Sequence, residues 1–371
     1  MSYCRKHGTE FTYEYTEEPS IAVLKRFKPD VVALTSITEN YNQAKLYAQI
    51  VKRFDTNIRV IIGGAHISAV PNTLSSDMDI GVIGEGEQTF LDLYRNEFEP
   101  SSKIDGLVYW EKGTLKMTRD RELIEPLDTI PHPDRSIYPK SLPTQQYLFT
   151  SRGCTNRCVF CSSSRFWKKL RLFSSAYVAE EIFAVKQDFG VSHLNILDDT
   201  FLSSVKRARE ISELVKDAGL TFFVNARANQ VTEDTALILK RMNVTQVGIG
   251  FESNSEKILT YLQKGNTPAD NQNAVNNLRK QGINVFGYFI RDIPGETRED
   301  LKATYKFIRK NKISYDMYHL IPLPGTPLYK GSENWDDCKV RVYRPLYWRV
   351  RGRLRQVKPL AAAYRRLKTK R

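Results

Sequence analysis

The chain has 371 residues, 41% of them hydrophobic and 26% charged, with 20 Gly and 16 Pro. That composition excludes a disordered or fibrous chain, and the length suffices for two or three domains with cores of their own. There is no run of about 18 apolar residues, and the opening MSYCRKHGTEF lacks the apolar stretch of a secretory signal. A soluble, cytoplasmic chain is expected. The formal charge of +14 is not spread evenly. Residues from Lys339 to Arg371 hold 13 Lys or Arg and no Asp or Glu, which leaves everything before them close to neutral.

Short apolar runs alternate with amphipathic stretches over the first hundred residues. Residues 29–36 (PDVVALTS) and 58–64 (IRVIIGG) read as buried parallel strands, and 79–84 (DIGVIG) as a weaker third. Between the first two, Ala44, Leu46, Tyr47, Ile50 and Val51 recur at helical spacing. Another helix opens at Gly86, and one more is expected over about 17–27. This is βαβ grammar and implies an open, doubly wound sheet. Residues 104–139 change character. GLVYWEKGTLKM predicts a hairpin around Lys112-Gly113, and Pro126, Pro131, Pro133 and Pro139 then mark a linker.

A second βα series runs over 140–330, with strands expected at 147–151, 194–197, 222–225, 247–251, 285–290 and 317–321. Val178, Ile182, Val185 and Phe189 define one face of an intervening helix. Six such units predict a partial barrel, whose active site belongs at the C-terminal ends of its strands.

The strongest chemical signal follows the first of these strands. Cys154, Cys158 and Cys161 form a C-x3-C-x2-C loop, and an odd total of five cysteines does not suggest a disulfide framework. Three thiolates in one loop suit three corners of a cubane iron–sulfur cluster and leave one iron open. Zinc, which prefers four protein ligands in a structural site, and buried structural thiols are the alternatives.

With this loop the sequence resembles the radical S-adenosylmethionine (SAM) superfamily. The resemblance implies a [4Fe–4S] cluster on Cys154, Cys158 and Cys161, with SAM on the open iron, cleaved by an electron from an external donor to a 5′-deoxyadenosyl radical. Phe160 matches the aromatic residue on the adenine side. Asp198-Asp199-Thr200-Phe201 is similar to the DD-x-F element of cobalamin-type members, and Gly250-Phe251-Glu252-Ser253 to the G-x-E-S element. Asp198, Asp199 and Glu252 are thereby expected to orient SAM. An aspartate pair capping the next helix is the plainer reading of the first element. Asn225 and Arg227 end the third strand, where Arg227 serves equally as a surface ion-pair partner. Pro294-Gly295-Glu296-Thr297 and Pro322-Leu323-Pro324-Gly325-Thr326-Pro327 match two further turns of the family. Arg291-Asp292 departs from it, standing where relatives have an apolar residue and Gly.

Residues 1–103 resemble the cobalamin-binding domain that precedes the barrel in one large group of this superfamily. The matching residues are Thr35-Ser36, Gly63-Gly64-Ala65-His66 and Gly84-Glu85-Gly86-Glu87, and the resemblance implies cobalamin contacts from Thr35, Ser36, Gly63, Gly64, Gly84 and Glu85. The domain is shortened, with three convincing strands where about five are usual, and it has no D-x-H-x-x-G. The fold expected is therefore α/β: a shortened Rossmann-like cobalamin-binding domain, then a partial (β/α)6 TIM-type radical SAM barrel.

Within the basic aromatic tail of residues 331–371, the stretch 339–371 interleaves Arg with Tyr343, Tyr347, Trp348, Leu354 and Val357. This pattern suits a solvated helix packed on the barrel, peripheral docking on an anionic membrane, or, less well, nucleic acid. The activity expected is radical modification of an unactivated carbon in a small-molecule or lipid substrate, with cobalamin-dependent methylation as the leading case. The alternatives are a cobalamin-independent radical SAM enzyme (rearrangement, cyclisation or RNA modification) and a degenerate, non-catalytic iron–sulfur protein. No catalytic side chain is assigned.

Overall fold

The computed structural model describes residues 1–137, 146–331, 334–338 and 342–343. Two short helices, α1 (Ser2–Lys6) and α2 (Ile21–Phe27), precede the first strand. There follow β1 (Val31–Thr35), α3 (Tyr41–Phe54), β2 (Arg59–Gly63), α4 (Ala65–Ala69), β3 (Ile80–Val82) and α5 (Gly86–Arg95). The three strands pair in parallel, Val31 with Arg59 and Ile61 with Ile80. The hairpin read as the start of the linker, β4 (Leu107–Glu111) and β5 (Thr114–Met117), is hydrogen-bonded to β3 and extends this sheet by two antiparallel strands. β1 forms one edge of this five-stranded sheet, with Ala33 and Thr35 exposed.

The second half begins with the short strands β6 (Tyr147–Leu148), β7 (Ser151–Arg152) and β8 (Arg171–Leu172), with helix α6 (Ser163–Phe166) between the last two. α7 (Ser175–Phe189), β9 (His193–Ile196), α8 (Val205–Val215), β10 (Thr221–Ala226), α9 (Glu233–Arg241) and β11 (Val244–Glu252) come next. Then follow α10 (Glu256–Tyr261), α11 (Pro268–Lys280), β12 (Asn284–Arg291), α12 (Arg298–Lys310), β13 (Ser314–His319) and β14 (Val342–Tyr343). The six expected barrel strands are β6, β9, β10, β11, β12 and β13, lying side by side in that order and parallel throughout, with β14 antiparallel on the far edge. The expected first strand is broken. Residues 147–148 join the barrel, whereas 151–152 pair with β8 as the chain turns towards the cysteines.

Hydroxyl caps start the outer helices. Ser174, Ser204, Thr232, Thr267 and Thr297 each accept the amide of the residue three further on, satisfying donors that the first helical turn leaves free. The sheet's outer face and the helices share one apolar core, in which Phe251 stacks on Phe289 at 5.5 Å and meets Phe307 edge-on at 5.2 Å.

The two halves also meet near the C-terminus, where Trp335 packs into the N-terminal core against His66. His66 is fully buried and stacked on Tyr41 at 3.9 Å, and its two ring nitrogens face the hydroxyls of Thr38 (3.2 Å) and Thr73 (3.1 Å). Burial, with a smaller push from Lys45, lowers its pKa from 6.5 to about 4. The folded chain therefore refuses a proton that the unfolded chain accepts below pH 6.5. Stability from this residue is complete above that pH and declines as the pH falls towards 4. The urea midpoint is expected to drop by the equivalent of about 2 kcal/mol on acidification from pH 6.5 to about 5, and His66→Gln to flatten that slope. A slope unchanged in the variant would assign the acid sensitivity elsewhere.

Among the described residues, no helix is long and apolar enough to cross a membrane. The basic stretch expected to dock on an anionic surface lies outside the described residues, apart from the backbone of Val342 and Tyr343.

Candidate active site

The cysteine loop leaves β7 through Gly153, at φ +88°, where a Cβ would lie 2.4 Å from the Lys169 carbonyl oxygen and 2.9 Å from Trp167 Cβ. Only glycine lets the chain turn here against the β8 side of the loop. Cys154, Cys158 and Cys161 are all thiols, and Cys158 is buried. The Asn156 amide and side chain point at Cys154 Sγ (3.5 and 3.3 Å), and Arg227 Nη1 lies 3.5 Å from Cys158 Sγ. Among the described residues no three His, Cys, Asp or Glu converge as ligands of one ion would. Three thiols along one loop supply one ligand each to three irons of a cubane, one fewer than the four that a structural zinc site takes.

The three thiols open into a cavity of about 340 Å³ at the C-terminal ends of the barrel strands. Phe160 lines it on the apolar side, backed by Val159, Ile258 and Ile290. Asp198 and Asp199 enter from the end of β9, Asn225 and Arg227 from β10, Gly248, Gly250 and Glu252 from β11, and Tyr288 from β12.

The two aspartates differ. Asp198 is fully buried, and its carboxylate accepts the Thr150 amide and hydroxyl (both 2.6 Å) and the Ser151 amide (3.1 Å). Burial pushes its pKa up against these bonds. With both oxygens engaged, Asp198 clasps β9 to the strand that feeds the cysteine loop. Asp198 nonetheless lines the cavity, beside Asp199. Asp199 accepts one bond, from Ser163 (2.5 Å), and its pKa too is raised by burial, so it is the member of the pair available to a ligand.

Glu252 sits at a bulge in β11 with φ +61°, and its carboxylate meets Lys264 Nζ at 2.8 Å. Their side chains are 9% and 7% exposed, so the pair is held out of water. A Cβ on Gly250 would stand 2.5 Å from the Glu252 carboxylate and 2.9 Å from the Lys264 ammonium, so the glycine makes room for the pair. Sequence reasoning missed Lys264; the Lys264-Gly265-Asn266 turn after a short helix was its one signal. It also placed Arg227 as readily on the surface. In the structure Arg227 is 5% exposed, and its Nε and Nη2, like Asn225 Oδ1, are buried without a partner.

Such orphaned groups in a cavity wall call for a ligand. A carboxylate answers Arg227, an ammonium answers Asp199, and a nucleoside answers Asn225 and Phe160. That donor set fits SAM, as the loop fits its cluster.

Arg291-Asp292 also finds an explanation. Asp292 adopts φ +61°, a left-handed conformation that glycine adopts most readily, and pairs with Arg291 and His319. The turn at Pro322–Pro327 packs towards the N-terminal half: a Cβ on Gly325 would touch that of Ala69 at 3.6 Å.

At the ends of β1, β2 and β3 the expected cobalamin contacts fall into two sets. Gly63 and Gly84 have open space where a side chain would be, Thr35 is exposed, and the buried Ser36 hydroxyl has no partner. These fit the flat face and tail of a corrin. Gly64 (φ +102°) does not face that space. It lies against the Ser36 backbone, where a Cβ would come within 2.4 Å of the carbonyl oxygen. Glu85 points away as well. It accepts the Ile124 amide (2.8 Å), both Nη atoms of Arg171 (2.8 and 3.1 Å) and Arg152. Burial alone would raise its pKa, but Arg171, the Ile124 amide and Arg152 more than offset that and hold it below the carboxylate range.

A thiol loop and an orphan-lined cavity at the mouth of a parallel barrel, behind a small-residue sheet edge, define a cluster-dependent nucleotide-cofactor enzyme. The model of the radical SAM superfamily matches residues 148–308, and that of the B12 binding domain matches residues 3–94. The chain is 35% identical over 326 aligned positions to an uncharacterized methyltransferase, PH0819, of Pyrococcus horikoshii, an alignment that covers 83% of this chain and 70% of that protein. It is 25% identical to the cytidylyl-2-hydroxyethylphosphonate methyltransferase of Streptomyces wedmorensis, over 90% of this chain and 73% of that one. Among solved structures, the radical SAM methyltransferase TsrM of Kitasatospora setae, with cobalamin and a [4Fe–4S] cluster bound, superposes with a TM-score of 0.70. At 18% identity over 81% of this chain and 66% of that one, this likeness is one of fold. The chain belongs to the radical SAM superfamily, in the group whose barrel follows a B12-binding domain.

Proposed function

We propose that the protein is a cobalamin-dependent methyltransferase acting on an unactivated carbon of a small-molecule or lipid substrate. The observation that carries this reading is the cavity beside the three thiols, with Arg227 and Asn225 unpartnered, in a chain whose first domain keeps an open glycine edge. When bound, the cluster, SAM and cobalamin supply the electron, the radical and the methyl group. The chain's own residues bind and orient. Arg227 holds a carboxylate beside Cys158, Asp199 an ammonium, and the Glu252–Lys264 pair closes the β11 side against water. The methyltransferase names of both curated relatives support the reaction class. On this reading the enzyme works in the cytoplasm, draws on an external electron donor, and can meet an anionic membrane surface through residues 339–371.

The test is cobalamin retention by anaerobically purified, cluster-reconstituted protein, read by visible absorption after removal of free cofactor, alongside SAM cleavage under strong reduction. One cobalamin per chain together with cleavage is expected. Cleavage without retention would sink the methylation mechanism and favour a cobalamin-independent radical enzyme. Neither activity would favour a non-catalytic iron–sulfur protein.

A further inference from the structure

The sequence marks Gly84-Glu85-Gly86-Glu87 as a cofactor edge, yet both glutamates turn towards the barrel. Glu85 binds Arg171 through both oxygens and also takes Arg152, while Glu87 takes the second Arg152 nitrogen. The side chains of Glu85 and Arg171 are 2% and 3% exposed, and that of Arg152 is 16% exposed. Trp167 lies under both guanidiniums, at 5.2 Å from Arg152 and 5.9 Å from Arg171. Arg152 is two residues before Cys154, and the intervening Gly153 is wedged against Trp167 and Lys169. The two charges of each sign balance.

We propose that Glu85 and Glu87 are positioning residues for the iron–sulfur cluster: the N-terminal domain neutralises Arg152 and Arg171 and so holds the strand that delivers Cys154 and sets the reduction potential of the cluster. The physical grounds are two. A buried guanidinium without its carboxylate is strongly destabilising where it stands. Net charge and hydrogen bonding around a cluster are among the main determinants of its potential. Removing a carboxylate leaves net positive charge beside the cluster loop, which favours the reduced, more negative state. The inference rests on membership of the superfamily and not on methyl transfer, because its test uses neither cobalamin nor substrate.

The experiment is a redox titration of the reconstituted full-length protein, followed by electron paramagnetic resonance, for wild type, E85Q, E87Q and the double variant E85Q/R152Q. The potential is expected to rise in E85Q, to rise by less in E87Q, and to return towards wild type in the double variant. Wild-type potentials in cluster-loaded E85Q and E87Q would overturn the proposal, since a purely structural contact changes loading or melting and leaves the potential of loaded protein alone. If E85Q does not take up a cluster, E87Q, altered at the more exposed rim, decides: a rise supports the proposal and an unmoved potential overturns it.

Discussion

Replacing Cys158 by alanine is expected to abolish reductive cleavage of SAM while leaving a folded protein. Cys158 is the middle thiol of the loop, buried beside Arg227, so alanine removes one sulfur without introducing bulk. A three-thiolate cluster cannot spare a ligand, because the protein supplies no fourth from the same loop. Without it the iron should be lost, together with the visible absorption of the cluster and the paramagnetic signal of its reduced form. Cleavage should then fall to the uncatalysed background. Cys4→Ala is the control. Cys4 is also buried but sits in α1 against the N-terminal sheet domain, and its loss should leave cluster content unchanged. Iron content and SAM cleavage at wild-type levels in Cys158→Ala would remove the cluster from this loop altogether.

How much of this was legible beforehand depended on the kind of interaction. The barrel strands were readable because parallel strands buried on both faces appear as continuous apolar runs: 247–251 and 285–290 fell inside β11 and β12. The cysteine spacing was readable because it is local. Less was legible where partners are remote in sequence. Whether an aspartate holds a ligand or a neighbouring strand turns on which amides face it, and Asp198 and Asp199, adjacent in the chain, do different things for that reason. Arg227 read equally as a cavity group or a surface cation, because nothing nearby in sequence revealed its burial. Glu85 looked like a cofactor contact because its partners, Arg152 and Arg171, lie 67 and 86 residues away. The hairpin of β4 and β5 was foreseen, but not the sheet it joins, since a turn signal carries no information about the third strand.

Lys264→Met should be the most destabilising single change in the cavity wall. The Glu252–Lys264 pair is almost fully enclosed at 2.8 Å, in the room that Gly250 leaves by having no side chain. Methionine keeps the length of the lysine stem and removes its charge, so Glu252 remains in place as a buried carboxylate without its cation. Breaking a buried pair in this way costs about 3–5 kcal/mol, a large part of the stability of an ordinary domain. Chemical denaturation of the cofactor-free protein measures it. The double variant E252Q/K264M should recover most of that loss, because it takes away the stranded charge along with its partner. SAM affinity should behave differently. It should be weaker than wild type in the double variant, since both charged groups that line the β11 side of the cavity are gone. A K264M protein as stable as wild type would mean that Glu252 finds water or another donor in the cavity, and that the pair is a ligand contact and not a clasp. Recovery of stability without recovery of binding is the outcome that separates the two roles these residues carry.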